Sequence, residues 1–220
     1  MKFNLINNNL FQTSTGLPSP VRSTRALTSA SDVICLTFDD GPDPVYTPAM
    51  LDILAAYNVK ATFFVLGEAA EKFSHLVGRI AAEGHSIGNH TFSHPNPWFA
   101  SREDAKREIT RTSLIIEQIT GKQPRWFRPP YGRLGFALQQ QTLLDNMTTV
   151  LWSRSIIDWG LLGNPTGIRN RLNRISAGDI VLMHDGQRKH NRPDNLLRYL
   201  PGFLAALPGK GLRPCGLDQF

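Results

Sequence analysis

The chain alternates short apolar runs with longer segments whose apolar residues recur at helical spacing. The apolar runs are rich in β-branched and aromatic residues, and they predict strands at 32–38, 61–66, 85–89, 126–128, 148–152, 179–183 and 212–215. The segments between them predict helices at 47–57, 68–83, 101–121, 135–146, 166–175 and 195–207. Strands that alternate with helices at a spacing of roughly 30 residues indicate a parallel sheet, either open or closed into a barrel.

Turn and cap residues mark several of the helix ends. Thr47 is expected to cap the first helix, with Pro48 at its first position. Ser101 is expected to cap the long helix that ends at Gly121.

The folded part of the chain is expected to be a single domain. Residues 1–31 are rich in Asn, Ser, Thr and Pro without periodicity, which predicts a flexible tail. Barrels and other α/β domains of about 220 residues do not need to be divided, so 32–217 is assigned to one domain.

Chemically reactive side chains follow the predicted ends of the strands. They are Asp39, Asp40, His90, His94, Arg128, Asp158 and His184. Because the carboxyl ends of parallel strands meet at one rim, where the loops converge on a ligand, these residues are expected to share a site.

The strand at 32–38 runs into Asp39 and Asp40, followed by Gly41 and Pro42. Consecutive residues of a strand point to opposite faces, so both aspartates can face one site only if the strand stops there, and Gly-Pro stops it. Two adjacent carboxylates repel unless a cation lies between them or one is protonated. The pair therefore indicates a metal or acid–base chemistry, although Asp-Gly-Pro is also an ordinary turn sequence.

The spacing of His90 and His94 predicts two imidazoles on one side of a helical turn. Together with one carboxylate of the Asp39–Asp40 pair they make three ligands, which is typical of a catalytic metal with open positions. Such a metal provides Lewis acidity and can lower the pKa of a bound water to about 7, so hydrolysis is the expected reaction class. Zinc is the expected ion, with cobalt and manganese as alternatives.

Hydrolysis of a carbonyl compound also needs a base, donors to the oxyanion and an acid. The aspartate that is not a ligand is the candidate base, and Arg128 would keep it ionised. His184 has the pKa range of an acid, and Asp158 would keep it protonated. Taken singly, Arg128 also fits a solvated rim charge, Asp158 a turn residue and His184 a loop histidine.

Composition describes a globular protein and excludes several classes. Hydrophobic residues make up 41% of the chain, and no run reaches the roughly 18 apolar residues of a membrane span. Half of the net charge of +6 comes from Lys2, Arg22 and Arg25 in the tail, so a nucleic-acid partner is not expected. A second basic cluster at 188–192 is typical of a solvated loop, with a bias toward anionic glycans as the alternative.

Three further expectations concern the location of the protein, its oligomeric state and its two cysteines. No continuous apolar run follows Lys2, so a cytoplasmic protein is expected unless this is a processed form of a secreted one. A monomer is expected. Cys35 and Cys215 are too few for a disulfide framework, although they could form a bridge if the last strand lies beside the first.

Five segments, in order, resemble the five motifs of the polysaccharide deacetylase family, also called the NodB-homology domain; they are 37–42, 90–94, 128–131, 158–159 and 182–184. The resemblance spans about residues 32–217. It implies a distorted (β/α) barrel with about seven parallel strands, and metal-dependent removal of N- or O-acetyl groups from polysaccharides.

The resemblance also implies a role for each motif residue. Asp39 would be the general base, Arg128 its partner, His184 the general acid, Asp158 the residue that tunes it, and the backbone N–H of Tyr131 an oxyanion donor. The implied metal ligands are Asp40, His90 and His94. The implied substrate contacts are Pro129, Tyr131, Trp159 and Leu182.

One residue departs from the family pattern, because Ser155 stands where an aspartate usually begins the fourth motif. The expected substrate is an acetylated glycan that contains N-acetylglucosamine, with chitin or chito-oligosaccharide ahead of peptidoglycan. The alternatives are hydrolysis of another amide or ester, such as O-acetylated xylan, and an inactive carbohydrate-binding relative. Retention of all the reactive residues argues against the inactive relative.

Overall fold

A single parallel sheet forms the centre of the protein in the computed structural model, which describes residues 23–24 and 32–219. Its nine strands are β1 (Ser23–Thr24), β2 (Val33–Asp39), β3 (Thr62–Val65), β4 (Ser86–Asn89), β5 (Trp126–Phe127), β6 (Thr148–Val150), β7 (Arg154–Ser155), β8 (Ile180–His184) and β9 (Arg213–Cys215). The count exceeds the expected seven because two-residue segments such as β1 and β7 also pair.

The strand order is β1-β6-β5-β4-β3-β2-β8-β7, and β9 pairs with the first half of β2. Every pairing in this sheet is parallel. Within the described residues, β1 and β7 are the ends of the order, so the barrel is incompletely closed. The prediction of a distorted α/β barrel in a single domain is confirmed.

In the described part of the chain, seven α-helices connect the strands, and they are α1 (Tyr46–Ala56), α2 (Gly67–Lys72), α3 (Ser74–Ala82), α4 (Arg102–Thr120), α5 (Phe136–Leu144), α6 (Pro165–Leu172) and α7 (Pro193–Ala206). The single helix predicted over 68–83 is wrong, because Phe73 leaves helical geometry at φ −126° and ψ 46°. Thr47 does not cap α1, because the helix begins at Tyr46, one residue before Thr47. Ser101 forms the predicted cap of α4, in a reciprocal pair with Asp104, and Gly121 ends the helix in the left-handed conformation.

The first long strand is the centre of the core. All seven residues of β2 are buried, and the rings of Phe38 and Phe63 stack at a centroid distance of 5.0 Å between β2 and β3. Apolar faces of α1, α3, α4 and α7 cover this sheet. Strands buried on both sides have continuous apolar sequences, which is why these strands could be predicted from the sequence.

Two further predictions concern the chain ends. Cys35 and Cys215 are opposite each other in β2 and β9, with a distance of 3.8 Å between their Sγ atoms, and both are free thiols. The predicted tail lies outside the described residues except for Ser23 and Thr24, whose backbone pairs with β6. Among the described residues, no helix has the length and hydropathy needed to cross a membrane.

Candidate active site

The reactive residues predicted from the sequence meet in one cavity of about 480 Å³ at the carboxyl ends of the strands. Asp39 and His184 end β2 and β8, which are neighbours in register. The cavity is lined by Asp39, Asp40, His90, His94, Pro129, Tyr131, Gly132, Trp152, Trp159, Leu182, His184 and the segment 188–191. Arg128 and Asp158 lie immediately behind this lining and are fully buried.

The backbone turns sharply between the two aspartates. Asp39 is the last residue of β2, and Asp40 has a φ of +72°, in the left-handed region that aspartate tolerates better than most residues. This change of torsion ends the alternation of the strand, so both carboxylates face the cavity, as predicted.

Asp40, His90 and His94 bring three potential ligand atoms together. Oδ1 of Asp40 lies 3.7 Å from Nε2 of His90 and 3.5 Å from Nε2 of His94. At zinc–ligand bond lengths of about 2.0–2.1 Å, tetrahedral ligands lie about 3.3 Å apart, so both distances from Asp40 are within a few tenths of an ångström of that value.

The chemistry of these three groups fits a metal ion. Oδ1 of Asp40 is buried and accepts no hydrogen bond from any residue that the structure describes. Burial lowers the pKa of His90 to about 3 and also lowers the pKa of His94, so both imidazoles are neutral and keep a lone pair for a cation. A buried carboxylate oxygen with no donor, facing two neutral imidazoles, is a ligand set for a divalent ion.

The loop that carries the two histidines is not helical, so the predicted helical turn is wrong. Thr91 and His94 have φ values of +71° and +59°. The loop is instead held by side chains, because Asn89 accepts from the backbone N–H of Thr91, and Glu108 of α4 accepts from those of Phe92 and Ser93. The two imidazoles converge because of this loop geometry.

The orientation of the His90 ring is fixed by a hydrogen bond from Nδ1, the ring nitrogen that points away from the aspartates. Its Nδ1 donates to the carbonyl oxygen of Arg128 at 2.7 Å, since a carbonyl can only accept. The neutral ring therefore has its lone pair on Nε2, which faces the aspartates.

Arg128 is the largest fully buried side chain and binds Asp39. Its Nη1 donates to Oδ1 of Asp39 at 2.8 Å and to Oγ1 of Thr37 at 2.6 Å. Nε and Nη2 donate to the carbonyls of Val150 and Leu151. Oδ1 of Asp39 is therefore occupied, while Oδ2 faces the cavity.

Burial and charge have opposite effects on Asp39. Loss of solvation raises the pKa of this carboxyl, and the charge of Arg128 beside it partly opposes that rise. A carboxylate that remains paired but is more basic than in water is suited to accepting a proton.

His184 and Asp158 form a second buried pair on the other side of the cavity. Nδ1 of His184 donates to Oδ1 of Asp158 at 2.7 Å, and the backbone N–H of His184 donates to Oδ2 at the same distance. Burial alone would lower the pKa of His184, but the carboxylates of Asp158, Asp40 and Asp39 together outweigh it, with Asp158 contributing most, and raise the pKa to about 9. The imidazole is thus protonated at neutral pH, with Nε2 free to face a ligand.

Ser155 takes part in the turn that leads to Asp158. Its Oγ accepts from the backbone N–H of Ile157 at 3.0 Å, and Ile157 has a φ of +50°. The departure from the family pattern therefore leaves Asp158 in contact with His184.

The predicted substrate contacts lie on the walls of the cavity. The ring of Tyr131, which is 58% exposed, packs edge-on against His94 at 4.6 Å, and the ring of Trp159 packs edge-on against His184 at 5.2 Å. Leu182 and Pro129 complete the apolar lining.

Asn191 and Asp185 are polar residues at the site that were not predicted from the sequence. Nδ2 of Asn191 donates to Oδ2 of Asp40 at 2.8 Å and so orients the carboxylate whose other oxygen faces the histidines. Asp185 is buried against Gly41 and accepts from Thr47, and burial raises its pKa to about 7. A carboxylate directly after His184 was the available signal for Asp185, whereas nothing in the pattern around Asn191 marks it.

Comparisons with known proteins identify the family of the chain. Residues 27–149 match the family model for polysaccharide deacetylase. The chain is 42% identical over 157 residues to a peptidoglycan-N-acetylglucosamine deacetylase of Bacillus cereus, and this covers 71% of the chain but only 57% of that relative's length. It is 36% identical over 154 residues to a chitooligosaccharide deacetylase of Sinorhizobium fredii, covering 70% and 72% of the two chains.

A solved structure is similar over nearly the whole chain. It is a peptidoglycan N-acetylglucosamine deacetylase crystallised with an N-hydroxybenzamide compound, and it superposes with a TM-score of 0.83 at 36% identity over 90% of this chain and 92% of that one. Sequence, fold and site geometry agree, and the chain belongs to the polysaccharide deacetylase family.

Proposed function

We propose that this protein is a metal-dependent hydrolase that removes N-acetyl groups from glycans containing N-acetylglucosamine and releases acetate. The observation that carries the proposal is the arrangement of two buried acid–base pairs around one three-ligand cluster. Arg128–Asp39 lies beside Asp40 and the two histidines, and Asp158–His184 faces the same cavity. An amide held between these groups would meet a base and an acid.

Asp40, His90 and His94 would hold the metal, for which zinc is the proposed ion. Two imidazoles and one carboxylate are a common catalytic ligand set for zinc, while cobalt and manganese are compatible with it. When bound, the ion would supply Lewis acidity toward a water and the acetyl carbonyl.

Asp39 is the proposed general base. Its Oδ2 lies 3.7 Å from Nε2 of His90, so it faces the position where the attacking water would be held. Arg128 holds Oδ1 and keeps the carboxylate ionised, so the proton of the water has only Oδ2 to move to.

His184 is the proposed general acid. Asp158 holds Nδ1 and keeps the ring protonated, so Nε2 would deliver its proton to the sugar nitrogen as the amine departs. The backbone N–H of Tyr131 would donate to the oxyanion, and Trp159 and Leu182 would surround the acetyl methyl group.

The relatives support the glycan class. Two of them are named for peptidoglycan N-acetylglucosamine and for chitooligosaccharide, whose shared unit is an N-acetylated glucosamine. Chito-oligosaccharide is therefore the first substrate to assay, and peptidoglycan the second.

Two substitutions separate the base from the ligand. Asp39→Asn is expected to reduce kcat for acetate release by about 10²–10⁴-fold while zinc still binds, because a general base contributes about that factor. Asp40→Asn is expected to lose zinc affinity as well as activity. Acetate release and zinc binding are measured on both variants. The assignment is wrong if Asp39→Asn loses zinc and Asp40→Asn keeps it, and a carbohydrate-binding protein without turnover would be indifferent to Asp39→Asn.

A further inference from the structure

The segment that follows β8 forms one wall of the cavity and brings basic side chains to it. Arg188, Lys189 and His190 all line the cavity. Arg188 also lines a neighbouring groove of about 420 Å³ between this wall and α2, together with Asp43 and Glu68, so it lies between the cavity and this groove.

This wall is held to the catalytic residues by backbone and side-chain hydrogen bonds. The N–H of Gly160 donates to the carbonyl of His190 at 2.7 Å, and the N–H of Arg192 donates to that of Asp158 at 2.7 Å. Asn191, between them, binds the carboxylate of the proposed aspartate ligand. The backbone that carries the basic side chains is therefore tied to the segment of Asp158 and to Asp40.

Arg188 and Lys189, the two permanent cations on this wall, are only weakly paired with carboxylates of the protein. Nη1 of Arg188 lies 3.9 Å from Oε1 of Glu68, and the two side chains are 37% and 51% exposed, so this contact is long and in solvent. Lys189 is exposed and has no ion pair with any residue of the described chain. Behind the wall, the buried carboxylates of Asp39, Asp40, Asp158 and Asp185 are opposed by Arg128 and protonated His184, and the proposed divalent ion would add two positive charges. The charges of Arg188 and Lys189 are then left to make the mouth of the cavity positive.

We propose that Arg188 and Lys189 form an anionic subsite that binds a carboxylate on the sugar next to the one being deacetylated. This inference rests on the proposed function and narrows its substrate class to acidic N-acetylated glycans. Guanidinium matches a carboxylate in geometry, and a mobile ammonium beside it adds charge. The lactyl carboxylate of muramic acid, which alternates with N-acetylglucosamine in peptidoglycan, is a group of this kind.

Substrates matched in everything except charge test the subsite. One is an oligosaccharide of alternating N-acetylglucosamine and N-acetylmuramic acid with free lactyl carboxylates, and the other is the same compound with those carboxylates converted to methylamides. We expect kcat/KM for acetate release to be about tenfold higher for the free acid at low salt, since partly exposed ion pairs have modest strength. The preference is expected to shrink toward 1 M salt, where the Debye length is about 3 Å.

A variant on the wall and a control away from it locate the preference. Arg188→Gln with Lys189→Gln is expected to bring the ratio of kcat/KM for acid over amide to about one. Arg198→Gln removes a charge from an exposed position on α7 that does not line the cavity, and is expected to keep the wild-type ratio.

The outcomes distinguish the subsite from the activity. If both compounds release acetate at equal rates in the wild type, or if the double variant keeps the preference, the subsite does not exist and the wall is a solvated surface. If neither these compounds nor chito-oligosaccharides release acetate, the proposed function fails and the subsite fails with it.

Discussion

Asp39 and Asp40 are neighbours in the chain with different surroundings. Asp39 shares its Oδ1 with a buried guanidinium, whereas Oδ1 of Asp40 has two imidazoles nearby and no donor in the described chain. The spacing of residues left open which aspartate is the base, and the family resemblance assigned that role to Asp39. The contacts of each carboxylate support the assignment of Asp39 as base and Asp40 as ligand.

The pair of His184 and Asp158 predicts a pH dependence. If His184 must be protonated, activity falls as pH rises through its pKa of about 9. Asp158→Asn removes the carboxylate that raises this pKa, so the alkaline limb of kcat/KM is expected to move to lower pH, with a lower maximum. The measurement is a pH–rate profile for acetate release.

Asp179→Asn is the control, because Asp179 immediately precedes β8, at the end opposite His184, and accepts hydrogen bonds from Ser153 and Ser176. Its alkaline limb is expected to stay in place. An unchanged limb in Asp158→Asn would show that His184 is not the acid.

The buried ion pair predicts an effect on stability. Arg128→Met is expected to lower the free energy of unfolding by about 3–5 kcal/mol, because it leaves the Asp39 carboxylate buried without its partner. Adding Asp39→Asn to this variant is expected to restore a large part of that loss, since the carboxylate left without its partner is then neutral. Urea unfolding of the two single variants and the double variant measures the coupling. Simple additivity of the two losses would contradict the account.

Some residues of the site could be predicted from the sequence, and others could not. His90 and His94 were found by their spacing, although the helical turn expected for that spacing is absent. Glu108 and Asn191, which hold the histidine loop and Asp40, could not be found, because their partners lie in distant loops whose conformation leaves no periodic pattern.

At the scale of elements, the apolar strands were predictable because each is buried on both faces. The break at Phe73 between α2 and α3 was not, because the residues on either side continue a helical pattern and the turn is decided by packing. The close contact between the loops that follow β2 and β8 could not be predicted from the sequence either. A Cβ on Gly186, in the loop after β8, would lie 2.1 Å from the carbonyl oxygen of Asp40.

This contact makes Gly186→Ala a test of how the loops support the metal ligands. The added methyl must displace the backbone of Asp40, so zinc affinity is expected to fall at least about tenfold, and the melting temperature is expected to fall too. Gly202→Ala is the control, because Gly202 lies in α7 with open space around its Cα and alanine favours a helix by about 0.5–1 kcal/mol. Competition with a chelator gives the affinities, and equal affinity in both variants would contradict the role of the loop.

At the scale of the whole molecule, the parallel sheet gathers the site. Asp39 and His184 are far apart in the chain but lie opposite each other where β2 pairs with β8. The residues that follow β4, β5 and β7 reach the same rim, because strands with the same direction end on the same side. This topology explains why the motif residues could be assigned to one site before any distance was known.

The most direct measurement of the central claim is acetate release from N-acetylated chito-oligosaccharides by the purified protein. The assay is run on the protein as isolated, after treatment with a chelator, and after zinc is added back. The account predicts release that stops after chelation and returns with zinc. Release that continues at the same rate in metal-free protein, or zinc binding without acetate from chito-oligosaccharide, peptidoglycan or acetylated xylan, would contradict it.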